Sequence, residues 1–103
     1  MKIVKVTYTT TAGFVDQNQA NIRKVMAELQ KMNNKGINYN ACLSADGRTF
    51  IHTAFFKSEE EEQVLLNLPL FKEFQMQLKA NGFEVPPKQE VLTLVGASVS
   101  LFD

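Results

Sequence analysis

The sequence has 103 residues, of which 45% are hydrophobic, and its 11 basic and 11 acidic side chains give a formal net charge of zero. A neutral chain lacks the long-range field that gathers phosphates or holds a protein on an anionic membrane, so we predict no nucleic-acid partner and no membrane partner. The single cysteine, Cys42, excludes an internal disulfide and gives no metal cluster. A chain of this length buries an adequate core without crosslinks, and we expect one domain over residues 1–103.

The first residues place lysines inside an alternating pattern, as in a strand, instead of ahead of an apolar run, as in a signal peptide. No apolar stretch is long enough to span a bilayer. We therefore predict a cytoplasmic protein.

The first third of the chain predicts a strand and then an amphipathic helix. One face of the strand is drier and carries Val4, Val6 and Tyr8. The strand is expected to stop at Ala12-Gly13, and Asp16 with Gln19 resembles a capping box that begins the helix. The apolar stripe of the helix then recurs at helical spacing: Ile22, Val25, Met26, Leu29 and Met32. Residues 33–36 tolerate a left-handed helix end.

The middle of the chain predicts a hairpin. Alternation over 37–44 indicates a second strand, Asp46-Gly47 supplies the turn, and a third strand follows over 48–57. Both faces of this third strand are apolar. Phe50, Ala54 and Phe56 share one face with His52, whereas Ile51 and Phe55 share the other. A strand that is apolar on both sides is typical of the centre of a sheet that is covered twice.

The second helical region is predicted to begin at Ser58, which caps the helix with Glu61 as its reciprocal partner. The acidic residues 59–62 could also suggest a metal site. We favour a solvated helix start, because acidic side chains stabilise the first turn of a helix. Pro69 is expected to divide the region into a short helix and a main one, which Asn81-Gly82 ends.

The end of the chain is expected to hold the fourth strand. Residues 85–87 read as a stiff connector, and residues 90–102 as a long last strand with a bulge near Gly96. The part over 97–102 is expected to leave its own sheet.

The order strand, helix, strand, strand, helix, strand predicts a ferredoxin-like α+β fold, βαββαβ, with two helices on one face of a four-stranded antiparallel sheet. The other face would expose a large apolar patch in a monomer. A second copy related by a two-fold axis covers it most simply, so we predict a homodimer formed through the open sheet face and the C-terminal strand.

The element order, the segment Leu68–Phe74 that opens the second main helix, and the apolar terminal strand resemble the dimeric α+β barrel superfamily, which includes the antibiotic biosynthesis monooxygenase-like domains. The resemblance implies a homodimer with a pocket between sheet and helices, used for cofactor-free oxygenation, haem degradation or isomerisation. Haem-degrading members use an Asn on the first strand, whereas this chain has Thr7 and Thr9 there and no Trp at all. Haem breakdown is therefore disfavoured, and we predict no cofactor and no metal ion.

His52 is the candidate catalytic residue, because it is the only side chain whose ordinary pKa lies near neutrality and could take a proton from a phenolic or enolic substrate. The alternative, which the lack of an identified orienting partner favours, is a histidine with a purely structural hydrogen bond. The candidate ligand-binding residues are Tyr8, Tyr39, Asn38, Phe50, Phe71 and Phe74. Asn38 also fits the solvent side of an edge strand, which is the favoured reading.

Two functions remain open from the sequence. The first is a homodimer that binds a small apolar or aromatic molecule, with monooxygenase-like activity that needs no cofactor. The alternative is a non-catalytic binding or interaction module whose pocket is closed by Phe55, Phe71 and Phe74. A cavity of a few hundred cubic ångströms reaching His52 would favour the first function, and a packed interior the second.

Overall fold

The computed structural model describes residues 1–102. In this part of the chain, the strands are β1 (Lys2–Thr10), β2 (Ile37–Leu43), β3 (Thr49–Phe56) and β4 (Phe83–Leu92), and the helices are α1 (Val15–Met32), α2 (Glu59–Leu66) and α3 (Pro69–Asn81). The strands form one antiparallel sheet in the order β2-β3-β1-β4. The predicted ferredoxin-like α+β fold is confirmed.

The strand register assigns every side chain of the sheet to one of two faces. Tyr8 lies opposite Phe50, and Val4 opposite Ala54, so these residues share the face that packs in the core beneath the helices. Alternate residues of β3 on this face are all buried: Phe50, His52, Ala54 and Phe56. The other face of the sheet carries no helix, and Ile51 and Phe55 of β3 are half-buried there. As predicted, β3 is a central strand.

The start of α1 differs from the prediction. A short 3-10 turn over Ala12–Phe14 leads into the helix, Phe14 occupies the N-cap, and no side chain caps the helix. Asp16 lies in the first turn instead of at the cap, so the predicted capping box is wrong. The C-terminal end agrees with the prediction, because Asn33 is left-handed with φ 52° and its N–H donates to the Leu29 carbonyl oxygen at 3.1 Å.

The break between α2 and α3 follows the predicted pattern. Ser58 is the N-cap of α2, although its hydroxyl donates to the Glu61 carboxylate and not to the helix backbone. Pro69 is the first residue of α3, where its missing N–H costs no helical hydrogen bond. Gly82 ends α3 with φ 76°, as expected of glycine at this position.

The last strand corrects two predictions. Residues 85–87 belong to β4 and are not a connector, and β4 ends at Leu92, so no strand covers residues 93–102. The irregularity also lies elsewhere: Pro86 and Pro87 together oppose Tyr8, because Thr7 pairs with Lys88 and Thr9 with Val85. An edge strand accepts prolines and a bulge at such a point, since one of its sides makes no ladder hydrogen bonds.

The core lies between the helix-bearing face of the sheet and the apolar sides of α1 and α3. Within residues 1–102, no helix is long and apolar enough to cross a bilayer. The same residues bring no three His, Cys, Asp or Glu side chains together in a way that could hold a metal ion.

Candidate functional site

A cavity of about 520 Å³ lies between the helix-bearing face of the sheet and the helices α2 and α3. This volume is within the range of small-molecule sites. Most of its walls are apolar, including Val4 and Val6 of β1, Ala54 of β3, and Leu65 and Leu78 of the helices. Tyr8, Tyr39 and His52 also line it, so one part of the wall is polar.

His52 is held between two tyrosines. Its Nε2 lies 2.8 Å from Tyr8 Oη and its Nδ1 lies 2.6 Å from Tyr39 Oη. Behind Tyr8, the Asn18 amide donates to the same phenolic oxygen at 2.9 Å. The four side chains form one hydrogen-bonded chain that joins α1, β1, β3 and β2, which we call the Asn18–Tyr39 chain.

The sheet register explains why these side chains meet. His52 is paired with Val6 on β1 and with Ala41 on β2, so Tyr8 and Tyr39 are its diagonal neighbours on the two flanking strands. Diagonal neighbours on one face are within reach of long aromatic side chains. A polar contact on each side of the imidazole therefore follows from the position of β3 between β1 and β2.

Burial controls the charge of this site. His52 is only 4% exposed, and its burial lowers the pKa of the imidazole to about 4, so the ring is neutral at neutral pH. Burial raises the pKa of Tyr8 well above its ordinary value, against the opposing effect of the Asn18 hydrogen bond. Burial, together with the nearby Tyr8, raises the pKa of Tyr39 in the same direction. Both phenols therefore keep their protons.

A neutral imidazole carries one N–H, so one ring nitrogen donates and the other accepts. With the proton on Nδ1, His52 donates to Tyr39, and the Tyr39 hydroxyl is free to donate to a ligand. With the proton on Nε2, Tyr39 donates to Nδ1, and its oxygen accepts from a ligand hydroxyl. Tyr39 makes no other side-chain hydrogen bond among residues 1–102. The arrangement can thus present either a donor or an acceptor to the cavity.

Aromatic rings enclose the polar wall. The ring centroid of Phe74 lies 5.5 Å from that of His52, and the Phe71 ring meets Tyr39 edge-on at 6.1 Å. These rings come from α3 and keep water away from the imidazole, which is consistent with its low pKa.

Comparison with known proteins identifies the fold. No protein-family model matches the chain, and no curated protein matches it. Solved structures do match. Rv0793 from Mycobacterium tuberculosis aligns with a TM-score of 0.78 and 14% identity, covering 95% of this chain and 98% of that one. A candidate antibiotic biosynthesis monooxygenase from Bacteroides thetaiotaomicron aligns with a TM-score of 0.82 and 8% identity, over 96% and 93%.

A variant of SnoaB, a cofactor-independent oxygenase from Streptomyces nogalater, aligns with a TM-score of 0.68 and 13% identity, covering 96% of this chain and 98% of that one. This chain has the antibiotic biosynthesis monooxygenase fold. The resemblance that the sequence suggested is confirmed at the level of architecture, and the alignments extend over nearly the whole chain.

Within this fold, the cavity collects most of the candidate residues. It is lined by His52, Tyr8, Tyr39, Phe71 and Phe74. Phe50 stacks on Tyr8 with ring centroids 5.5 Å apart but lies outside the cavity wall.

Asn38 pairs with Phe55 and therefore lies on the helix-free face, outside the cavity that His52 lines, as the favoured interpretation of this residue predicted. The predicted closure of the pocket needs correction. Phe55 on that same face cannot close the cavity, and Phe71 and Phe74 line the cavity instead of filling it. The packed interior expected for a non-catalytic module is thus not observed.

Sequence reasoning missed Asn18, which is completely buried and donates to Tyr8. The signal was present in the helix pattern. Asn18 precedes Ile22 by four residues and Val25 by seven, which places it on the apolar stripe of α1. A polar residue on such a stripe needs a buried hydrogen-bond partner, and Tyr8 is that partner.

A second depression, of about 620 Å³, runs between α1 and the edge strand β2, and Leu101 from the C-terminal segment lies in it. It is larger than the first cavity, and Asn38, Tyr39 and Phe50 line it, but His52, Phe71 and Phe74 do not. The cavity beneath α3 combines aromatic walls with a polar group held neutral, and it is the candidate site.

Proposed function

We propose that this protein is a homodimer that binds a small apolar or aromatic molecule and acts on it as a cofactor-independent, monooxygenase-like enzyme. The observation that carries the proposal is the cavity of about 520 Å³ whose wall includes His52, Tyr8 and Tyr39. A solved protein of the same fold is described as a cofactor-independent oxygenase, which supports the same class of chemistry.

The proton step assigns a role to each polar residue. A bound phenol or enol donates its O–H to the Tyr39 oxygen, while Tyr39 passes its own proton to His52 Nδ1, which lies 2.6 Å away. The ligand becomes an anion and His52 an imidazolium, so charge and protons balance. Tyr8 and Asn18 hold the imidazole from behind and are positioning residues. The electron-rich anion is then the species that meets dioxygen.

The dimer is supported by apolar groups that the single chain leaves in water. Leu92 on β4, which pairs with Ile3 on the helix-free face, is 40% exposed, and Val95 and Val99 beyond the strand are 100% and 72% exposed. Ile51 and Phe55 add half-buried apolar side chains on the helix-free face of the sheet. A second copy of the chain would cover such a surface and protect the free edge of β4.

The binding half of the proposal is tested with phenylnaphthylamine, a neutral dye that fluoresces in apolar sites. We expect saturable binding with a dissociation constant on the order of micromolar, as for an apolar ligand of this size. Leu66→Trp, at the partly exposed rim of the cavity, should weaken binding. Met76→Trp, on the outside of α3, is the matched control and should not change it. Absence of saturable binding to the wild type would refute the proposal.

The catalytic half is tested by oxygen uptake with a panel of phenols and enols. For any compound that is turned over, Tyr39→Phe should lower kcat by about 100-fold or more, because proton transfer by a positioned group contributes that much. Binding of the neutral dye should stay within about twofold, since the ring that lines the cavity is kept. Unchanged turnover in both Tyr39→Phe and His52→Asn would exclude the proton route, and absence of turnover across the panel would count against an enzyme.

A further inference from the structure

The cavity runs along the helix α3. The lining residues of this helix recur at the spacing of one helical face: Phe71, Phe74, Gln75, Leu78 and Lys79. Phe71 and Phe74 pack against Tyr39 and His52. Lys79 lies five residues after Phe74, which is about 7.5 Å along the helix axis at the usual rise per residue. The cavity therefore extends from the Asn18–Tyr39 chain towards a lysine.

The charged side chains around the cavity differ in whether another side chain neutralises them. Among residues 1–102, two charged side chains line it, Glu62 and Lys79. The Glu62 carboxylate is neutralised from outside, because Lys2 Nζ lies 3.0 Å from its Oε2. Lys79 makes no ion pair with any residue in the described range 1–102. The end of the cavity away from Tyr39 thus carries one uncompensated positive charge.

We propose that the ligand carries an acidic group, such as a carboxylate or sulfonate, at the end opposite Tyr39, and that Lys79 binds this group. The inference rests on the proposed binding function and adds the chemical class of the ligand. Lys79 is exposed, and a lysine at a cavity mouth lays its alkyl stem along apolar walls while its ammonium stays in water. An anion at the mouth can therefore pair with it without being fully desolvated, and the apolar body of the ligand fills the interior.

The experiment compares two dyes that differ by one sulfonate group, the neutral phenylnaphthylamine and its anionic analogue anilinonaphthalene sulfonate. Lys79→Gln should weaken binding of the sulfonate about fivefold, the scale of a partly exposed ion pair, and change binding of the neutral dye less than about twofold. Lys72→Gln is the matched control, because Lys72 is an exposed lysine of the same helix that does not line the cavity. Lys79→Arg keeps the charge and should restore binding of the sulfonate.

Two further measurements sharpen the result. Added salt should weaken binding of the sulfonate to the wild type and leave the neutral dye unaffected, because salt screens a partly exposed ion pair. The sulfonate should displace the neutral dye, which establishes that both occupy one cavity. If Lys79→Gln and Lys72→Gln bind the sulfonate equally well, the acidic-ligand inference is overturned while the cavity proposal stands. If the neutral dye does not bind the wild type at all, the proposed function itself fails.

Discussion

His52 shows how a single residue links stability to function at this site. A neutral, buried imidazole with a hydrogen bond on each nitrogen is well placed to receive a proton from a ligand, but the same burial resists protonation by solvent. The protein therefore binds fewer protons in its folded state than in its unfolded state whenever the free histidine would be charged. This difference makes the free energy of unfolding depend on pH.

We predict that the protein loses stability as the pH falls from about 6.5 to about 4. The pKa of His52 is about 4 in the folded state, against 6.5 for an unperturbed histidine, so the unfolded state takes up a proton first. The loss over this interval is about 3 kcal/mol. Urea unfolding at a series of pH values measures it.

His52→Gln should flatten this dependence between pH 4 and 6.5. Two carboxyl groups change the free energy of unfolding mainly at the acidic end of this pH series. The pKa of Asp46 is lowered to about 2 by hydrogen bonds from Thr49 and Arg48, and that of Glu61 is lowered by the Ser58 hydroxyl, so their stabilisation is lost as each is protonated. Because both carboxyls remain in the variant, a slope in His52→Gln as steep as in the wild type would show that His52 is not its source.

Among the elements, helices and the hairpin are predicted from local pattern, and the last strand is not. The left-handed residue at Asn33, the break at Pro69 and the turn before β3 each depend on neighbours in sequence. Pro86 and Pro87 locally indicate a connector, yet they lie in β4 because β4 is an edge strand. Edge position follows from the order of strands in the sheet, which is a property of the whole fold.

The site shows the same difference between what local sequence predicts and what the whole fold determines. Each of Tyr8, Tyr39 and His52 is a candidate from its chemistry, but the contacts between them require the register of three strands. Asn18 lies on α1, and its contact with Tyr8 depends on how α1 packs on the sheet. Sequence reasoning therefore found the chemical groups of the site without finding how they are joined.

The end of α1 offers a test of one element. Asn33 is the only residue within 1–102, apart from glycine, that has a positive φ. Asn33→Ala should destabilise the protein by about 1 kcal/mol, because a Cβ without a local polar group is disfavoured in this region. Asn33→Gly should be neutral or stabilising. Urea unfolding compares them with Lys35→Ala, a nearby exposed position with an ordinary backbone; equal losses in all three variants would contradict the explanation.

At the scale of the whole molecule, the proposed dimer depends on the helix-free face of the sheet. The register aligns its side chains in rows across the strands. Phe55 lies beside Asn38 and Ile3, and Ile51 lies beside Cys42 and Thr7. The face therefore mixes apolar with polar and charged side chains, since Lys5, Lys88 and Glu90 also lie on it, as interfaces between subunits commonly do. A two-fold axis through it would place Ile51 of each protomer in a shared interface.

We predict that Ile51→Lys separates the proposed dimer. A symmetric interface carries the change twice, and it buries two lysines whose direct neighbours, Thr7 and Cys42, carry no compensating charge. The dimer dissociation constant should rise by about 100-fold or more, which sedimentation equilibrium measures over a range of protein concentrations. Met76→Lys is the control, because Met76 is 65% exposed on α3 and lies on the opposite side of the molecule from this face.

The two variants also separate assembly from ligand binding. The cavity lies on the helix-bearing face, whereas Ile51 lies on the other, so a folded Ile51→Lys monomer should still bind the neutral dye. Loss of binding in that monomer, with its circular dichroism unchanged, would mean that the second copy is needed to complete the cavity. A wild-type protein that is monomeric at high concentration would exclude the proposed dimer, and the exposed valines at 95 and 99 would then require a different partner.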